Sequence, residues 1–115
     1  MAKSFEDLQV WKRSCRFAVN LIDLLRTNKD FYLKNQMLGA AISIPSNIAE
    51  GMTRKWPKER AHFLNIAQGS LSELDTQIEV CRRLQYVEDS ISEDIIGRLS
   101  EIQRLLGGLI RSVRG

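Results

Sequence analysis

The sequence predicts an all-α chain, an antiparallel up-down-up-down four-helix bundle, on three observations. Apolar residues recur in three-four alternation along four separate stretches, the period of a helix face packed on neighbouring helices. The connections between these stretches are a few residues long and carry turn and cap signals, which sets consecutive helices side by side. Strand-like alternation, internal repeats and low-complexity segments are absent. With 115 residues, 43% of them hydrophobic, the chain can bury one ordinary core, and residues 1–115 are expected to form a single domain.

The first helix begins after Ser4, an N-cap with Glu6 and Asp7 in the first turn, where negative charge suits the helix dipole. Leu8, Trp11, Cys15, Ala18, Ile22 and Leu25 form its seam, and Val10, Phe17, Leu21 and Leu24 a second apolar strip. One strip suffices for the chain's own core, so the surplus here and on the fourth helix is a reason for self-association. Thr27-Asn28-Lys29-Asp30 is the turn into a second helix, which runs from Phe31 or Tyr32 to Met52. Its apolar stripe is Leu33, Met37, Ala41, Ile44, Ile48 and Met52, and beside it lie Gln36, Ala40, Ser43, Asn47 and Glu50. Pro45 interrupts this pattern at a cost of about 3 kcal/mol, which predicts a kink near Ala41 or, alternatively, two short helices broken before Pro45. Gly51 is expected to end the helix as a left-handed cap.

Pro57 suits the first position of the third helix, with Glu59 in its first turn. That helix extends to about Tyr86 on a seam of Leu64, Ala67, Leu71, Leu74, Ile78 and Cys81. Folding back at Arg54-Lys55 sets Gly69 and Ser70 opposite Gly39, Ala40 and Ala41, a close approach that gives Gly69 a packing reason. The fourth helix is capped by Ser90, with Glu93 three residues on, or by Ser92. Its seam is Ile95, Leu99, Ile102, Leu106, Leu109 and Val113, widened by Ile96, Leu105 and Ile110.

The N-terminal run Met1-Ala2-Lys3 is followed by no apolar segment, and no stretch reaches the roughly 20 apolar residues that span a bilayer, so a cytoplasmic protein is expected. Cys15 and Cys81 fall on seams whose levels differ by on the order of 10 Å, which predicts two buried thiols rather than a disulfide. His62 is the only histidine and lies off the seam, and neither Cys-x-x-Cys nor Glu-x-x-His spacing occurs. Neither a metal site, a cofactor nor a catalytic residue is expected, and the chain reads as non-enzymatic. Glu50 sits near a helix C-terminus, where the dipole disfavours it, and needs a partner: Arg54 four residues on, or a hydrogen bond to another helix shared with Asn47.

Seventeen basic and fourteen acidic residues leave a net charge of +3, a mild excess, but its placement is informative. Lys12, Arg13 and Arg16 share one side of the first helix, while Arg54, Lys55, Lys58 and Arg60 surround Trp56 against Glu59 alone. An aromatic among cations serves single-stranded nucleic acid by stacking and phosphate contact. The competing reading is a solvated turn with Trp56 stapled onto the bundle end.

The elements Phe5-x-x-Leu8-x-Val10-Trp11, Gln36, Ser43-Ile44-Pro45-Ser46-Asn47-Ile48-Ala49-Glu50-Gly51, Phe63-Leu64-x-Ile66-Ala67-x-Gly69-Ser70 and Glu73-Leu74 resemble one family. It is the family of four-helix bundle proteins first noticed in intervening sequences of bacterial 23S ribosomal RNA. The likeness covers nearly the whole chain. More distantly, the chain is similar to the accessory variability determinant of diversity-generating retroelements. The resemblance implies an up-down bundle, a ring-like homopentamer and binding of RNA or DNA, with a reverse transcriptase or another protein as further partner. It makes Gln36, Ser43, Pro45, Asn47, Glu50, Gly51, Gly69 and Ser70 the structural motif. One departure is Asp30-Phe31-Tyr32-Leu33-Lys34, where the family usually has a proline and an acidic residue before the second helix.

Overall fold

Four α-helices make up the computed structural model, which describes residues 4–114: α1 (Gln9–Leu24), α2 (Phe31–Met52), α3 (Pro57–Arg83) and α4 (Asp89–Arg114), preceded by a 3-10 turn over Phe5–Asp7. The run Met1-Ala2-Lys3 and Gly115 lie outside the described residues. No strand occurs among those described. Helices α1 and α3 each pack against both α2 and α4, enclosing one elongated core in a body of 45 × 22 × 20 Å.

Helix α1 starts later than its cap signal. Ser4 Oγ accepts from the Glu6 amide at 3.3 Å, but it caps only the 3-10 turn, and the α-helix begins at Gln9. The inner face is the strip read as secondary: Val10, Phe17 and Leu21 are buried with Ala18, whereas Trp11, Cys15 and Ile22 are half-buried flank. The sequence misorders the two strips because each satisfies a helical period, and only the neighbours on either side decide which points inward. Both are absorbed within the chain, so the surplus shrinks to Val19, Leu24 and Ile91 on α1 and α4. Ser14, unremarked in the sequence, is buried and donates to the Val10 carbonyl at 2.6 Å.

Helix α2 is capped by Asp30, whose Oδ1 accepts from the Leu33 amide at 3.1 Å, and runs unbroken through Pro45 to Met52. The continuous apolar face, Met37, Ala41, Ile44, Pro45 and Ile48, all buried, outweighs the one backbone bond that proline removes. Gly51 does not end it. No glycine among the described residues has a positive φ, and Gly51 is helical and buried; a Cβ there would lie 3.0 Å from the Arg60 carbonyl oxygen and 3.1 Å from Phe63 Cβ. Its reason is the approach of α3. The helix ends one residue on, with Thr53 Oγ1 donating to the Glu50 carbonyl at 2.8 Å.

The α3 seam is buried in full, and Pro57 holds its first position. It stops at Arg83, three residues short of the expected Tyr86, because the left-handed residue is Gln85 (φ 62°). There the Gln85 amide bonds the Arg82 carbonyl at 3.0 Å and the Tyr86 amide the Cys81 carbonyl at 2.9 Å, a Schellman motif without glycine. Gly69 is exposed, and a Cβ on it would meet nothing within 4 Å, so the packing reason expected for it is wrong. The close contact with α2 belongs to its neighbour Ser70. Helix α4 begins at Asp89, ahead of both serines expected as caps, and Ser92 is buried inside it.

The two cysteines are free; Cys81 is buried with its Sγ 3.4 Å from Met37 Sδ, while Cys15 is only half-buried. Burial pushes both thiols above their ordinary pKa. Tyr86 donates its hydroxyl to Asp30 Oδ2 at 2.8 Å, a bond that chiefly raises the phenol's pKa. A raised folded-state value means stability is complete below the free tyrosine range near pH ~10 and falls as pH rises through it. Tyr86→Phe therefore flattens the alkaline loss of stability measured by urea midpoints at pH 8 to 11. For the glycines, Gly51→Ala should lower stability by about 1–3 kcal/mol, whereas Gly69→Ala should raise it by about 0.5–1 kcal/mol. Gln85→Gly should raise it by about 1 kcal/mol. Denaturant midpoints check all three.

Candidate nucleic-acid interface

The connection between α2 and α3 is four residues long, and its shape follows from Pro57. Proline disfavours a helical residue before it, so Trp56 is extended (φ −100°, ψ 138°) and carries its indole away from the helix end. Trp56 is 59% exposed, and Lys55 Nζ stands over its ring, 5.0 Å from the centroid. A stapled tryptophan would be buried. With Arg54, Lys58, Glu59, Phe63 and the exposed His62 it lines a shallow depression.

The cations around it divide into two kinds. Arg54 pairs with Glu50, which settles that carboxylate's partner, and its guanidinium lies 4.9 Å from the Phe63 centroid. Arg60 is turned back, its Nε donating to the Arg54 carbonyl at 2.7 Å. Arg54 and Arg60 thus hold the turn together, while Lys55 and Lys58 are exposed and lack a carboxylate partner among the described residues.

The motif of α2 is a helix contact rather than an open site. Ser43 Oγ and Ser70 Oγ share a hydrogen bond of 2.9 Å. Asn47 Nδ2 donates to the Ser43 carbonyl at 2.8 Å and to Ser43 Oγ at 2.9 Å, and Ser70 Oγ reaches the Ile66 carbonyl at 3.3 Å. Pro45 and Gly51 are buried beside this network, and Gln36 stands exposed beyond it.

The α1 cluster lies on a different helix pair. Lys12 and Arg16 are exposed, and Arg13 crosses to pair with Glu101 of α4. Between the two helices is a cleft of about 290 Å³, lined by Arg13, Arg16, Phe17, Asn20, Arg98 and Glu101 among others. Sequence clustering does not reach Asn20 and Arg98. The available signal is Asp94-x-x-x-Arg98 on the edge of the α4 seam, a helical ion pair that measures 3.2 Å. Among the described residues, no three His, Cys, Asp or Glu side chains cluster as metal ligands, and no helix is long and apolar enough to cross a membrane.

The family model described as 23S rRNA-intervening sequence protein matches residues 6–108. The chain belongs to that family. A structural relative is the crystal structure of a protein of unknown function from the S23 ribosomal protein family of Bacteroides thetaiotaomicron. It is 28% identical, with a TM-score of 0.82, covering 88% of this chain and 97% of the other. Among curated proteins nothing matches. In this family member the two kinds of cation are separable by mutation. Arg54→Ala should cost about 1 kcal/mol by removing the cation–π interaction, while Lys55→Gln and Lys58→Gln should stay within about 0.5 kcal/mol of the parent. Thermal unfolding followed by circular dichroism measures the difference.

Proposed function

We propose that this protein is a non-enzymatic, homo-oligomeric scaffold that binds nucleic acid, RNA or DNA, through a basic surface. The observation that carries the reading is Trp56, exposed beside Lys55 and Lys58 rather than packed on the bundle. An exposed indole beside two lysines that make no ion pair among the described residues offers a base a stacking platform and a phosphate a counter-charge, with Glu59 the one carboxylate on the same depression. In this reading the chain is an up-down-up-down antiparallel bundle, supported by Ser43 meeting Ser70, Arg13 meeting Glu101 and Arg82 reaching Asp89.

The bundles close into a ring, a pentamer by the family resemblance. Exposed Ile42 on α2, Ile66 and Val80 on α3, and Leu84 just past its end supply apolar surface for such contacts. A ring repeats the modest +3 charge around one track, so avidity replaces single-site strength. A cytoplasmic location suits a chain that works on nucleic acid. The same apolar surface favours a second reading, an adaptor for a protein such as a reverse transcriptase, with no nucleic-acid role. That contact would tolerate salt, whereas phosphate contacts would not.

Affinity for RNA should fall linearly with salt on logarithmic axes, by a slope of about −0.7 to −0.9 per phosphate contacted. Lys55→Gln with Lys58→Gln should flatten that slope without changing the oligomer seen by light scattering, and Trp56→Ala should weaken single strands more than duplexes. A parent chain that binds no RNA or DNA at low salt refutes the reading in favour of the adaptor, and a clean monomer at micromolar concentration refutes the ring.

A further inference from the structure

The cleft between α1 and α4 is distinct from the Trp56 turn and has two chemically different halves. In the first, Arg13, Arg16 and Arg98 face Glu101 alone. Arg13 is held by Glu101 and Arg98 by Asp94 at 3.2 Å, but Arg16 has no carboxylate within pairing distance among the described residues. The second half, about 400 Å³, is lined by Leu21, Leu24, Ile91 and Ile95, with Asp94 at its edge. Phe17, Asn20 and Arg98 line both halves, so they form one continuous groove.

We infer that this groove takes one unstacked nucleotide of a single-stranded nucleic acid, its phosphate between Arg16 and Arg98 and its base on the apolar floor beyond. The inference rests on the nucleic-acid reading above and adds a second, separate site to it. Guanidinium groups present paired N–H donors that match phosphate oxygens, and two of them from facing helices relieve their mutual repulsion by sharing an anion. From Arg16 to Leu24 the helix rises about 12 Å, which is roughly one nucleotide from phosphate to base edge. Asn20 and Asp94 also line the second half, where an amide and a carboxylate can hydrogen-bond a base edge. An acidic peptide would meet the same arginines and, like the phosphate, the carboxylates of Asp94 and Glu101; what a nucleotide adds is a base amino group that those carboxylates can accept.

Fluorescence anisotropy with labelled ten-nucleotide single-stranded RNA, the same sequence as DNA, and an RNA duplex tests this on the full chain. Arg16→Gln with Arg98→Gln should weaken both single strands at least tenfold and reduce the salt slope by about 0.7 for each phosphate no longer neutralised. Leu24→Asp, at an exposed floor position, should weaken single strands at least fivefold and leave the duplex within twofold. Equal effects on RNA and DNA place recognition in phosphate and base; a larger effect on RNA adds the 2′-hydroxyl. If the paired variant loses helicity, Arg16→Gln alone, which breaks no ion pair, decides with a threefold loss. Should the Lys55 and Lys58 variants weaken binding while the groove variants bind within twofold of the parent, the groove is overturned and the nucleic-acid reading stands. A parent that binds none of the three probes overturns both, and so does capture only of an acidic helical peptide in an Arg16-dependent way.

Discussion

Helices α2 and α3 meet through small groups, and the placement of almost everything else follows from that contact. Ala41, Ala67 and Gly51 leave room at the line of approach, so the Arg60 carbonyl lies where a side chain on residue 51 would have to be. Close backbones favour polar groups that can reach each other, and the Ser43 and Ser70 hydroxyls bond directly, with Asn47 bracing Ser43 from one turn away. The same closeness keeps the connection short. A four-residue turn entering a proline holds Trp56 extended at the helix end, and its ring is left exposed there.

Charge is distributed by a similar logic. Several arginines are neutralised locally by carboxylates three or four residues away: Arg26 by Asp23, Arg54 by Glu50, Arg98 by Asp94, and Arg82 and Arg83 together by Glu79. The hydrogen bonds from Arg82 and Arg83 hold the Glu79 carboxyl down to about 2. Pairs this exposed add little to stability. Their effect is on the field around the molecule, because arginines paired in this way contribute less to the positive potential than unpaired cations such as Lys12, Arg16, Lys55 and Lys58.

Much of this was legible in the residues. The four helices and the α3 seam could be read directly, since α3 carries one apolar strip in three-four alternation and therefore one periodic solution. Helix α1 offered two, and periodicity cannot rank them. Glycine misled twice in opposite directions. Gly51 looked like a terminator and is a contact, whereas Gly69 looked like a contact and is exposed; the true left-handed residue, Gln85, has no compositional mark. At the candidate interface, clustering picks out Trp56 and its lysines. It could not tell that Arg54 and Arg60 are consumed in holding the turn, nor that Asn20 and Arg98 face Arg16, because those relations exist only after helices distant in sequence are set side by side.

Asp30 uses one carboxylate for two connections: one oxygen caps α2 and the other receives the hydroxyl of Tyr86, from the segment joining α3 to α4. The two loops are therefore linked through one residue, and opening either removes one of its two bonds, which couples their local unfolding. The shared anchor also restricts how such a chain can diverge, since a residue inserted in either loop shifts its register against the other.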